Sequence, residues 1–179
     1  MSALPQRSTF VTVLAWVFIA MSGSGTVISI AQNLMIHALL DGELGQMLHQ
    51  APPEGVPPVV AFLVGHAQLF FIGALLGSIA TLACSIGLLR RQNWARLGFV
   101  GLMLLAIAWL LAGLCIQASV LAGMRAQFAA AGELGGPDIS AVLPVIGVMG
   151  VLFALVMGSV HGWIAWKLLT PAIAAEFRR

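Results

Sequence analysis

Four stretches of this chain, 10 to 38, 59 to 89, 97 to 123 and 140 to 166, contain no Asp, Glu, Lys or Arg. Each exceeds the roughly 20 helical residues that cross about 30 Å of hydrocarbon. A soluble helix of that length must be polar on its outer face, whereas lipid accepts Leu, Val, Ile and Ala directly. Composition agrees, because 60% of the 179 residues are hydrophobic and only 8% are charged. The sequence therefore predicts an all-α, polytopic membrane protein. It is read as one four-helix domain over 1–179, with spans at about 10–38, 59–89, 97–123 and 140–168. The formal charge of +2 is too small and too scattered to suggest a nucleic-acid partner.

The connectors carry the turn chemistry that such spans need. APPEGVPP (51–58), RRQNWAR (90–96) and GELGGPD (132–138) separate them. Pro58 can open a helix, Asp138 or Ser140 can cap one, and Gly135, Gly136 and Pro137 stop the helix before them. With both termini cytoplasmic, Arg7, Arg90, Arg91, Arg96, Lys167, Arg178 and Arg179 share the inner side and Arg125 alone lies outside. That is the positive-inside pattern, and Trp94, Trp163 and Trp166 fall beside the basic ends at headgroup level. Glu176 is the one acid on that inner side.

The segment SGSGTVIS (22–29) interrupts the first apolar run and could pass for a signal-peptide cleavage region. The apolar pattern resumes at Val27 and continues to Leu40 without a polar gap. It is therefore read as the intramembrane waist of a span.

Small residues recur on one face of every span. In lipid, helices associate through close packing and interhelical hydrogen bonds, which small residues permit. The first span supplies Ser22, Thr26, Ser29 and Asn33 at helical spacing, with His37 continuing the stripe. The second carries Gly73, Gly77, Thr81 and Ser85, and the fourth Gly150, Ala154, Gly158 and Gly162. The third offers Ala108 and Ala112, ending near Ser119. These faces are expected to pack the bundle, with one left over for a second copy or a foreign subunit.

Candidates for chemistry are few. Counting 1.5 Å per residue places His37 about 41 Å and His66 about 36 Å from the cytoplasmic edge. With His49 and the acids Asp41, Glu43 and Glu54 they outline a hypothetical divalent-metal or pH-responsive site, and paired histidines could ligate a haem or pigment. The competing reading is that histidines are simply at home near an interface. His161, about 9 Å from the inner edge, is expected to hydrogen-bond inside the bundle. Cys84 and Cys115 stand at depths of about 9 and 28 Å, too far apart for a disulfide, and are read as apolar fillers. Gln68 and Gln117 are candidates for interhelical bonds. The missing mid-depth charge argues against an ion-coupled transporter, and no nucleophile with a base or phosphate loop argues for an enzyme. After Pro171 a short C-terminal helix is expected, turning Phe177 toward lipid and Arg178 and Arg179 toward headgroups.

The run GLLRRQNWARLGFVGLMLL resembles a pattern of small uncharacterised bacterial four-helix inner-membrane proteins, and AWVFIAMSGSGTVISIAQNLMI is similar to their first span. The resemblance implies a bacterial inner-membrane setting and brings no active site. The expected function is a non-catalytic accessory or assembly subunit of a larger membrane complex. It would need no cofactor beyond bound lipid, and its partners would be lipids and other membrane subunits or a second copy. A small channel or carrier for an uncharged or lipidic solute is the alternative, and a haem- or pigment-binding subunit the third.

Overall fold

The computed structural model describes residues 8–40, 58–132 and 142–177, and these are helical almost throughout. Helix α1 spans Thr9–Leu40, α2 Pro58–Gly65, α3 Ala67–Leu89, α4 Asn93–Gly132, α5 Val142–Leu169 and α6 Pro171–Ala174, followed by a 3-10 turn at Ala175–Phe177. Among the described residues four of these, α1, α3, α4 and α5, are long and apolar enough to cross a membrane. They run up, down, up and down, so sequence neighbours pack antiparallel: α1 on α3, α3 on α4 and α4 on α5.

Two boundaries differ from the sequence reading. The stretch 59–89 is not one helix, because the chain breaks at His66, whose backbone sits at φ −115° and ψ 15°. The third helix runs from Asn93 to Gly132, 40 residues or about 60 Å, twice the hydrocarbon thickness. Nothing in AQFAAA, just past Arg125, breaks a helix, since alanine favours helix whether or not lipid surrounds it.

Helix α1 runs unbroken through SGSGTVIS. Its hydroxyls turn inward on the backbone instead of opening it: Ser22 donates to the Phe18 carbonyl, Ser24 to that of Ala20 (2.9 Å) and Thr26 to that of Ser22 (2.7 Å). Back-bonding of this kind satisfies a hydroxyl where no water is present. Ser22 and Ser29 are buried, and the small surface lets α3 approach until Ser78 Oγ stands 3.5 Å from where a Cβ on Gly25 would lie.

The core lies at one end of the bundle. Val11, Leu14 and Ala15 of α1 meet Cys84 and Leu88 of α3, Phe99, Val100 and Met103 of α4, Ile164, Ala165 and Leu168 of α5, and Ile173 and Phe177 beyond it. Phe18 stands edge-on to Phe99 at 4.9 Å, and Phe10 to Trp163 at 5.5 Å. All of these residues sit within a few turns of Arg90, Arg91 and Arg96, so this is the basic end. Further along, the contacts become pairwise. Asn33 Nδ2 donates across to the Phe71 carbonyl (3.0 Å), tying α1 to α3, and Gln117 Nε2 donates to the Ile146 carbonyl (2.9 Å), tying α4 to α5.

Candidate functional site

The basic end is built around a tight turn between α3 and α4. The Gln92 N–H donates to the Gly87 carbonyl and the Arg91 N–H to that of Leu88, both at 3.0 Å, which is the paired 6→1 and 5→2 closure of a Schellman motif. The motif needs a left-handed residue at its hinge, usually glycine; here it is Arg91, with φ 56°. Gly87 makes the close approach possible, because a Cβ there would run into the Cβ of Ala95 on α4.

The strained backbone aims the Arg91 side chain across the end of the bundle. Nη1 lies 3.1 Å from Glu176 Oε2, while Nη2 donates to the Ser8 carbonyl and to Thr12 Oγ1, both at 3.1 Å. The Ser8 N–H, at the start of α1, donates to both carboxylate oxygens of Glu176 at 3.2 Å. An anion at a helix N-terminus is favoured by the unsatisfied amides and the dipole, and the guanidinium adds charge to that seat. Phe177 completes the closure: it is 2% exposed, with the guanidinium carbons of Arg91 and Arg96 each 5.8 Å from its centroid. Thr170 and Pro171 set up this return, since Pro171 opens α6 after an extended Thr170.

Phe177 therefore does not face lipid as its sequence context suggests. Two guanidinium faces and the apolar core offer more contact than the bilayer surface does, and the ring takes that slot. Neither Glu176 nor Arg91 stood out as a paired group in the sequence. Their signal was the isolation of Glu176 among inner-side bases, but a separation of 85 positions hides the pairing.

The remaining sequence candidates fall into three groups. His37 and His66 are both exposed, and His49 lies outside the described residues, as do Asp41, Glu43 and Glu54. His66 Nδ1 is 2.9 Å from the Phe62 carbonyl and its ring stacks on Phe62 at 4.3 Å. A carbonyl only accepts, so Nδ1 is the donor in this contact. His161 makes the same kind of bond to the Met157 carbonyl (2.6 Å), within its own helix. Among the described residues no group of three or more His, Cys, Asp or Glu side chains converges as a metal cage would require.

On the small-residue face of α1, Asn33 bonds across to α3, Ser22 and Ser29 are buried, and Thr26 bonds back within its own helix. Thr81 and Ser85 bond to the carbonyls of Gly77 and Thr81 at 2.8 and 2.7 Å. Gly150 lies under the Gln117 amide, which a Cβ there would push from its present position beside Ile146. Gly73, Gly77, Gly158 and Gly162 meet no atom within 4 Å of where a Cβ would be. Ala154 and Gly158 instead floor an apolar groove of about 340 Å³ between α4 and α5, lined also by Ile107, Leu110, Leu114 and Ser159.

The cysteines divide. Cys84 is buried, with its Sγ 3.0 Å from where a Cβ on Gly98 would stand, and it fills space as expected. Cys115 is exposed on α4, so it is not the buried filler its sequence context suggests.

Fold and site together define an all-helical protein of multi-pass membrane type, closed at its basic end by an ion-paired C-terminal segment. No family model, no curated protein and no solved structure matches this chain.

Proposed function

We propose that this protein is a non-catalytic accessory or assembly subunit of a larger complex in a bacterial inner membrane, with both termini cytoplasmic. The observation that carries the reading is the open glycine surface: among the described residues, a Cβ on Gly73 or Gly77 of α3, or on Gly158 or Gly162 of α5, would meet no atom within 4 Å. Glycine in a membrane helix loses side-chain packing unless another backbone comes close, and close approach of a partner helix is what would use these positions. The zipped basic end supports the same reading, because it ties the four helices together at one end, where the core residues gather. The gathering of Arg90, Arg91, Arg96 and Lys167 at one end of the described helices supports the orientation.

The test is purification from native membranes in a mild detergent after crosslinking in cells. A defined partner chain, or a second copy, is expected to be recovered, and Gly77→Leu together with Gly158→Leu is expected to abolish recovery while the protein stays folded. A monodisperse monomer with no crosslinked partner refutes the reading.

A carrier for an uncharged or lipidic solute has one observation in its favour, the apolar groove between α4 and α5. It is centred near Leu110 and Leu111, about midway along α4 between Arg96 and Arg125, where a solute crossing the span would pass. Liposome flux that Gly158→Leu abolishes would select this reading over the first.

A further inference from the structure

Arg96 stands where α4 begins and α5 ends, in a belt that also holds Trp94, Trp163, Trp166 and Lys167. Its guanidinium is held from three directions. Nη1 donates to the Leu168 carbonyl (3.4 Å) in the last turn of α5, Nη2 donates to Asn93 Oδ1 (3.0 Å), and the Phe177 ring covers one side at 5.8 Å. A guanidinium has five N–H donors, and these contacts use only one on each terminal nitrogen. The Nε–H is buried with no acceptor among the described residues. The charge is also unbalanced. Glu176 is engaged by Arg91 and by the Ser8 amide, and among the described residues Arg96 has no carboxylate partner.

A rigidly held guanidinium at headgroup depth, with spare donors and no counter-ion, complements a phosphate, whose oxygens match the planar fork. We propose that Arg96 binds the phosphate of an anionic phospholipid in the leaflet that meets the basic end. Asn93 and the Leu168 carbonyl orient the fork, and Phe177 keeps water from one side of it. The headgroup is anionic and not zwitterionic because Arg96 has no carboxylate among the described residues to balance it, and a lipid of net negative charge supplies that balance, whereas a choline or ethanolamine cation would be set against the guanidinium itself. The ligand is a lipid and not a free anion because exposed Leu97, Trp166 and Leu169 border the site and offer acyl chains a surface. This assignment stands apart from the question of a protein partner.

Native mass spectrometry of the full-length protein in a neutral detergent, with phosphatidylglycerol and phosphatidylcholine offered in equal amounts, tests it. The wild type is expected to prefer phosphatidylglycerol by about fivefold, the effect of one basic group near an anionic surface. Arg96→Gln is expected to remove the preference, and Arg90→Gln, at an exposed arginine nearby, to leave it. Asn93→Ala, an exposed position whose loss spares the core, is expected to lower the preference by about half, since it removes one of the contacts orienting the fork. An unchanged preference in Arg96→Gln, or in Asn93→Ala should Arg96→Gln fail to fold, overturns the proposal. Equal loss in Arg90→Gln and Arg96→Gln also overturns it, and so does displacement of the lipid by millimolar inorganic phosphate, which would make the ligand a free anion.

Discussion

Arg91 Nη1 lies 3.1 Å from Glu176 Oε2, joining the turn between α3 and α4 to the final turn of the described chain. The two side chains are 13% and 16% exposed, so the pair is screened far less than a surface salt bridge. Arg91 reaches this position from a left-handed backbone, which costs a non-glycine residue about 1 kcal/mol. The side chain must return more than that, and its contacts with Glu176, Ser8, Thr12 and Phe177 are where it does so.

Removing one partner of a mostly buried pair leaves the other charge without compensation. Glu176→Ala is expected to destabilise the protein by about 3 kcal/mol, at the lower end of the range for buried pairs because the site borders water. Reversible unfolding in mixed micelles measures it. A double-mutant cycle of Arg91→Ala with Glu176→Ala is expected to give a coupling above about 1 kcal/mol. Zero coupling would mean that the ion pair contributes nothing beyond its two separate side chains.

The hinge conformation separates backbone from side chain at position 91. Both Arg91→Gly and Arg91→Ala lose the guanidinium, but only glycine relieves the left-handed strain. The glycine variant is therefore expected to be the more stable of the two by about 1 kcal/mol. Equal stabilities would show that the turn relaxes when the side chain is cut back.

Gly87 faces the opposite demand. An added methyl would meet the Cβ of Ala95, an atom fixed to the α4 backbone that no rotamer change can move aside. Gly87→Ala is expected to cost about 2 kcal/mol, within the range for overpacking a tight contact. Gly87→Ala with Ala95→Gly is expected to recover most of it. The same unfolding assay checks both.

How much of this could be read in advance depends on how local the signal was. The four spans announced themselves, because charge-free runs of more than 20 residues have one outcome in lipid, and the turn at 90–96 was marked by its arginines. The break at His66 left no mark, since neither Gly65 nor His66 forbids a helix. The latch was illegible for a different reason. Glu176 and Phe177 gain their roles from a loop closed 85 residues away, and an isolated acid among bases can as well remain solvated. The glycine stripes were visible as periodicity, but their use was not: Gly150 serves Gln117, while Gly158 on the same face meets nothing.

The Gly150 and Gln117 pair gives a non-additive prediction. Gly150→Leu is expected to displace the Gln117 amide and break its bond to the Ile146 carbonyl, costing about 1–3 kcal/mol by overpacking. Gln117→Ala removes the bond and vacates the space, at a cost of about 0.6–1.7 kcal/mol. In the double variant the leucine enters the space the amide left, so the combined loss is expected to be smaller than the sum. Strict additivity would show that the two residues do not share the site.

Asn33 and Thr26 lie on the same face of α1 yet differ in what their polar atoms hold. Thr26 Oγ1 donates only to the Ser22 carbonyl within its own helix, a bond that survives separation of the helices. Asn33 Nδ2 donates both to Ser29 of its own helix and, across the interface, to the Phe71 carbonyl. Asn33→Leu is therefore expected to destabilise the α1 and α3 pairing by about 0.6–1.7 kcal/mol, the range for interhelical bonds in membranes. Thr26→Val, nearly the same shape and without the hydroxyl, is expected to change stability by less than about 0.5 kcal/mol, since it removes only a back-bond. The two variants, compared in one unfolding assay, distinguish an interface held by a specific cross-helix bond from one held by small-residue contact alone. If both lose equally, the Phe71 carbonyl is not the partner that matters.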